Sequence, residues 1–310
     1  MNLHVEWDIE NTTYRQLKDL LVNISTHKAV TIDKSVYVMS NEYPYNFYQY
    51  AMDDNQLSKL PNPKYNNPNG CITHNTTHIF YLGGGTLDQQ SITMKNTRSL
   101  QMYDISKYTW QVRSDITMNY YRHSFACEYS KLWNSIFVFG GVTLPSNSSI
   151  NNQTTHDCRA NALQSILNDI EIINLTTTTT TNGGGHGQSH MQLFQSSMLH
   201  SSVSVGDFVY VTGGLVPCCC NQTDVNHTLI ASDFVQVFDL RHLNGSLFNA
   251  RLNFNRYSHN MLYTVLHSSL VIFVFGGETP RFVEYSNPLF DNLITTTVLS
   301  STQVSNQYYN

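Results

Sequence analysis

The chain has 310 residues, of which 41% are hydrophobic and only 13% charged, about half the usual globular share. Its 17 Lys and Arg against 22 Asp and Glu give a formal charge of −5 without any basic cluster, which argues against a phosphate-binding surface and so against a nucleic-acid partner. No apolar stretch reaches the length of about 18 residues that a membrane-spanning helix needs.

From the N-terminus, the first mark is Trp7-Asp8 with Tyr14 seven residues after the tryptophan. An apolar run, Val36-Tyr37-Val38-Met39-Ser40-Asn41, follows. Four stronger copies come after it, each closed by a glycine pair: Ile79–Gly84, Ile136–Gly141, Val209–Gly214 and Ile272–Gly277. Short runs rich in Val, Ile, Phe and Tyr that stop at glycine predict buried strands rather than helices. Two consecutive glycines at a strand end predict a close approach of backbone or of a ring that a Cβ would block.

Two further marks recur with the strands. His27, His123, His200 and His259 stand 13, 17, 13 and 17 residues before Ser40, Gly140, Gly213 and Gly276. After Gly83-Gly84 comes Tyr103-Asp104 and then Trp110, seven residues beyond the tyrosine; weaker versions are Tyr50 with Leu57, Phe238-Asp239 with Leu247, and Tyr285 with Asn292 or Leu293. The unit reads as histidine, apolar strand, glycine pair, variable loop, Tyr-Asp and aromatic. Self-similarity of this kind predicts a repeat architecture over the whole chain.

The unit resembles the kelch repeat, carried here by Gly83, Gly84, Gly140, Gly141, Gly213, Gly214, Gly276, Gly277, Tyr103 and Trp110. The resemblance covers roughly residues 1–300 and implies an all-β, kelch-type β-propeller whose units are four-stranded blades. The expectation is one domain over 1–310 with six blades. In it the N-terminal Trp7 segment completes the last blade with residues 293–310; an incomplete ring of five blades and a part-blade is the other closure. Trp110 is expected to pack near the Gly83-Gly84 turn of its own blade.

Glycine intervals of 43, 57, 73 and 63 residues, read from Ser40 onward, exceed the roughly 50 of a kelch unit and place the excess in loops. The inserts are 142–168, with a short helix expected over Ala160–Leu167; 176–190, a threonine tract leading into Gly183–Gly187; and 215–232, which holds Cys218-Cys219-Cys220. The cysteines Cys71, Cys127, Cys158 and Cys218–Cys220 match no paired zinc pattern, and the expectation is reduced thiols. Nine Asn-x-Ser/Thr sequons occur, at Asn11, Asn23, Asn75, Asn147, Asn152, Asn174, Asn221, Asn226 and Asn244. The N-terminus lacks a basic stretch followed by an apolar core, so the expected location is cytoplasmic, with an extracellular one kept open by the sequons.

The histidines are repeat-equivalent, so internal hydrogen bonding is expected of them rather than metal ligation. Gly183–Gly187 lacks the Lys-Ser/Thr of a phosphate loop, and no Gly-x-Ser-x-Gly turn is present. Some kelch propellers are sugar-active enzymes, of the galactose-oxidase or sialic-acid-mutarotase kind. The resemblance makes Arg122, Arg256 and Glu278 candidate binding residues at a channel mouth, while no local motif gathers a copper site. The function expected is a non-catalytic protein-interaction or scaffold module, with no cofactor or metal, and loops 86–98, 142–168 and 215–232 as contacts. The alternatives are a sugar-active kelch enzyme and a structural component of a larger assembly or extracellular glycoprotein.

Overall fold

Apolar runs with β-branched and aromatic residues fold as extended strands when glycine or a tight turn stops them. The computed structural model describes residues 5–8, 13–16, 27–40, 46–67, 69–88, 93–96, 98–143, 166–176, 188–217, 229–266, 269–279 and 295–298. Every regular element among these is a β-strand. The chain divides into two compact units, Met1–His123 and Ser124–Asn310.

The first unit begins with a hairpin of β1 (Val5–Asp8) and β2 (Thr13–Gln16). An antiparallel meander follows, β3 (His27–Ile32), β4 (Ser35–Ser40), β5 (Phe47–Ala51) and β6 (Gln56–Leu60). The second sheet runs β7 (Cys71–His74) and β8 (His78–Leu82), makes an excursion through the ribbon β9 (Gly85–Asp88) and β10 (Thr93–Asn96), and returns as β11 (Ser99–Asp104) and β12 (Thr109–Thr117). β13 (Arg122–His123) ends the unit.

The second unit holds β14 (Ala126–Ser130), β15 (Ser135–Phe139), β16 (Val142–Thr143), β17 (Asp169–Asn174) and β18 (Gln188–Gln192); β14, β15, β17 and β18 form the third four-stranded meander. The fourth uses β19 (Ser201–Val205) and β20 (Phe208–Thr212), a ribbon of β21 (Leu215–Pro217) and β22 (Leu229–Ala231), then β23 (Phe234–Asp239) and β24 (Asn244–Arg251). A three-stranded sheet of β25 (Asn260–Leu266), β26 (Ser269–Phe275) and β27 (Thr295–Val298) completes the described strands. Four sheets thus have the four-stranded, consecutive, antiparallel topology of propeller blades, two in each unit.

Neighbouring sheets of a unit share one apolar layer. In the first unit Ile32, Tyr37, Met39 and Phe47 of one sheet meet Ile72, Ile79, Tyr81 and Tyr103 of the next. In the second, Phe137, Phe139 and Ile170 meet Val209, Val211 and Phe238, and Tyr210, Val235 and Val237 meet Ile272 and Val274. The second strand of each meander is the most apolar because both of its faces are covered: β15 is buried at every position.

The seven-residue aromatic spacing is the register of the last two strands of the first two meanders and of the N-terminal hairpin. Tyr103 pairs with Trp110, Tyr50 with Leu57 and Trp7 with Tyr14. In the fourth sheet the partner of Phe238 is Gly245, not Leu247. A Cβ on Gly245 would stand 2.6 Å from the Phe238 ring, so glycine makes room for that ring.

Trp110 also departs from expectation. Its indole donates to the Pro61 carbonyl (2.8 Å) and its ring lies 5.2 Å from Phe47 and 5.1 Å from Tyr103, so it joins its sheet to the preceding one rather than packing on the glycine pair. The Asp of the Tyr-Asp mark closes the following turn: Asp104 accepts from the Ser106 and Lys107 amides, and Asp239 from the Arg241 amide. Asn174 takes the same place in the third sheet, accepting from the Thr176 amide at 2.8 Å.

Cys71 and Cys127 are buried as strand residues, and each is disulfide-bonded, which overturns the expectation of reduced thiols there. Disulfide partners are chosen by strand placement in space, which spacing along the chain does not reveal. Cys158, Cys218–Cys220, the segment Ala160–Ser165 and Tyr285 with Asn292 and Leu293 lie outside the described residues.

Candidate functional site

In an antiparallel meander the turns alternate between two ends. The first and third turns of each sheet share one end, here called the hairpin end. The glycine pairs close the second strand at the other end, where the chain also enters each new sheet.

All eight glycines of the four pairs have left-handed φ, from 51° at Gly140 to 92° at Gly214. At Gly140, Gly213, Gly214 and Gly277 glycine answers two demands at once, conformation and space, whereas Gly276 has nothing within 4 Å of an added Cβ and answers conformation alone. The amide of the second glycine donates to a carbonyl in the entry loop of the following strands: Gly84 to Arg122, Gly141 to Ser197 and Gly214 to Arg256, each at 2.9 Å. A Cβ on Gly214 would stand 2.8 Å from both the Met198 carbonyl and the His200 Cβ; one on Gly277 would stand 2.6 Å from the Tyr257 carbonyl. The close neighbour is mostly the backbone of an entry loop.

Each entry loop turns through a non-glycine residue of left-handed φ: Asn69, Ser124, Leu199 and Ser258. Within the second unit these turns are joined, the Leu199 amide donating to the Ser124 carbonyl and the Ser258 amide to the Leu199 carbonyl, both at 2.8 Å. Two of the four repeated histidines, His200 and His259, complete the joint, whereas His27 is exposed. His200 stands between the Phe139 carbonyl and Ser197 Oγ, 3.0 Å from each, and His259 Nε2 is 2.8 Å from Thr212 Oγ1. Both rings are buried. Burial lowers the pKa of His123 below the ordinary imidazole value, favouring its neutral form.

Sequence reasoning missed a second joint. Gln101 of β11 is fully buried and clasps the backbone of Tyr65, donating to its carbonyl (2.7 Å) and accepting from its amide (2.9 Å). Gln236 of β23, in the same place relative to its sheet's Asp239, accepts from the Phe194 amide at 2.8 Å. A primary amide carries its donor and its acceptor on separate atoms, which suits it to bond the carbonyl and the amide of one residue at once. The signal was legible as Gln three residues before Asp in both Leu100–Asp104 and Val235–Asp239.

Arg122 and Arg256 are walls of this end rather than exposed groups. Arg122 is fully buried and its guanidinium stands 5.6 Å from the Tyr120 ring centre. Arg256, also buried, donates from Nη1 to the Gly276 carbonyl (2.9 Å), and burial lowers its pKa. Glu278 is exposed and accepts from the Tyr257 hydroxyl, a bond that raises the tyrosine pKa. The backbones of Tyr257 and Glu278 pair as well, so Arg256, Tyr257 and Glu278 form one neighbourhood.

Within each unit, the glycine-pair ends of the sheets expose aromatic rings. Tyr65, Tyr120 and Phe254 each stand four residues before the left-handed residue of their entry loop, and Phe194 five before its own. They are 43%, 47%, 58% and 49% exposed. Cations accompany two members of the set and a neighbour: Lys64 lies over Tyr65, Arg122 over Tyr120 and Arg98 over Tyr121. The loops that follow the glycine pairs leave the same end on paired stems: β9 with β10, β21 with β22, and Val142 with Ile166. Among the described residues no group of three or more His, Cys, Asp or Glu could hold a metal ion.

No protein-family model matches this chain, and no curated protein matches it in sequence.

Proposed function

We propose that the chain is a kelch-type β-propeller of six blades that works as a non-catalytic protein-interaction module, binding through the glycine-pair end. The observation that carries this reading is the recurrent exposed aromatic. Tyr65, Tyr120, Phe194 and Phe254 occupy corresponding places, yet their rings are about half exposed, so packing does not account for the recurrence. Aromatic rings with arginines close by are the side chains that anchor protein interfaces. Loops that follow the glycine pairs on paired stems would supply the variable part of such a surface.

The reading rests on corresponding positions and chemistry, since fold alone does not fix function. Affinity purification of the intact chain, set beside the variant Phe194→Ser with Phe254→Ser and variants shortened within 86–98 or 215–232, tests it. Loss of bound protein in these variants, with retention in a variant altered at the Asp104 turn, is the expected result. Stoichiometric copper in the purified protein, or turnover of a free sugar, overturns it in favour of the sugar-active kelch enzyme.

A further inference from the structure

We propose that Asn75, Asn174 and Asn244 carry N-linked glycans, which places the protein in an oxidising, extracytoplasmic compartment. Three sequons lie wholly within the described residues: Asn75-Thr76-Thr77, Asn174-Leu175-Thr176 and Asn244-Gly245-Ser246. All three fall in turns at the hairpin end. Asn75 sits between β7 and β8, Asn174 closes β17, and Asn244 opens β24. Asn244 is exposed, and the other two are half-exposed.

The turn geometry leaves the right atom outward. Asn75 Oδ1 accepts from the Thr77 amide (2.9 Å), the Thr77 hydroxyl (3.1 Å) and the His78 amide (2.7 Å). Asn174 Oδ1 accepts from the Thr176 amide (2.8 Å) and from its hydroxyl. The side-chain carbonyl is thus turned into the loop, which sends Nδ2 the other way, and the hydroxyl of the third sequon residue is held against the amide to be modified.

Turn closure alone asks only for an acceptor. Asp104 provides one in the second sheet, with Ser106 in place of the threonine, and Asp239 in the fourth. The third sheet has an amide at that position, the one version of the cap that can also be glycosylated.

The second, independent observation is redox. Cys71 and Cys127 are both disulfide-bonded, a state kept in secretory and extracellular compartments and rare in the cytosol. Those compartments are also where sequons are modified. In the transfer, Nδ2 bonds the anomeric carbon of a sugar carried on a polyprenol pyrophosphate. The bond from that carbon to the pyrophosphate oxygen breaks, and one amide proton leaves. Glycans at the hairpin end would leave the glycine-pair end open, so the proposal stands whether or not the binding reading does.

The test is peptide mapping of the full chain isolated from the cells that make it. Release by peptide-N-glycosidase in heavy-oxygen water converts each occupied Asn to labelled Asp, and alkylation before reduction reports free thiols. Label at Asn75, Asn174 and Asn244, with Cys71 and Cys127 blocked to alkylation, is expected. Unlabelled asparagine at all three overturns the proposal, as does label confined to the other six sequons, or alkylation of Cys71 and Cys127. Asn75→Gln and Asn174→Gln keep the side-chain carbonyl for the turn, so the secreted variants fold and show the loss of one glycan each by mobility.

Discussion

The two ends of each sheet are built by different means. At the hairpin end the turns are local: Asp104, Asp239 and Asn174 each close a turn within a few residues of themselves, and single left-handed residues such as Asp33, Asn55 and Asn134 suffice. At the glycine-pair end bonds also cross from one sheet to the next, through the second glycine amide, His200 and His259, while the glutamine clasp fixes the loop that connects two sheets. The hairpin end keeps each sheet in register and adds a few indole bonds between sheets, Trp133 to the Leu240 carbonyl and Trp110 to the Pro61 carbonyl, whereas the glycine-pair end joins sheets by backbone packed too closely for a side chain. A change of equal size should therefore cost far more where the sheets join.

Two glycines make the sharpest contrast. Gly206, in the β19–β20 turn, has φ of 60° and nothing within 4 Å of an added Cβ. Gly214 has φ of 92° and backbone at 2.8 Å. Gly206→Ala should cost only the left-handed strain, about 1 kcal/mol. Gly214→Ala adds a clash that the sheets must part to relieve, and should cost ~3 kcal/mol or more. Thermal unfolding of both variants measures the difference, and equal losses would break the division between the ends.

At the hairpin end the largest expected effect is at Asp239, nearly buried and bound by Arg241 through two bonds and by His242. Burial works to raise its carboxyl, but the bonds from Arg241 and His242 outweigh it and hold it well below the ordinary aspartate value. Because the folded value is depressed, the contribution is complete above the ordinary value and is lost as pH falls from there through the lower, folded value. Asp239→Ala should cost about 2 kcal/mol at neutral pH and flatten the acid limb of the stability curve. Asp239→Asn should cost less, since asparagine already closes the third sheet's turn at position 174. Denaturant unfolding from pH 2 to 7 tests both.

Glu128 should show the opposite sign. It faces Ser202 and Ser204, which donate at 2.7 and 2.8 Å, yet burial outweighs those bonds and raises its carboxyl above the ordinary glutamate value. A raised folded value means that its contribution is complete below the ordinary value and declines as pH rises through the folded one. Glu128→Gln keeps an acceptor for one serine and removes that decline. The variant should gain on wild type as pH rises through the Glu128 titration, by less than Asp239→Ala loses. A constant difference across the range would show that Glu128 does not titrate with folding.

What could be read in the sequence was whatever repeats with a fixed spacing. The four glycine-pair runs became strands, His200 and His259 became buried bonds, and the seven-residue spacing became the pairs Tyr103–Trp110, Tyr50–Leu57 and Trp7–Tyr14, while His27 is exposed and Phe238 pairs with Gly245. The glutamine clasp was present as Gln101 and Gln236 but hidden, because its partners, Tyr65 and Phe194, lie 36 and 42 residues away. The destination of Trp110 and the bonded state of Cys71 and Cys127 depend on what lies alongside in space. Spacing within one repeat carries no information about that.

The smallest stability effect belongs to the residues proposed to act. Phe254 is 58% exposed. Phe254→Ser should change stability by no more than about 0.5 kcal/mol, as surface substitutions usually do. If the glycine-pair end is an interface, the same change should weaken partner binding by tenfold or more, the scale of an aromatic anchor. A ring kept for folding gives the reverse: lower stability and unchanged binding. Measuring both quantities on one variant therefore distinguishes a surface selected for a partner from one selected for the fold. Phe254 suits this better than Tyr120, whose ring lies under the Arg122 guanidinium and whose loss would disturb that buried residue as well.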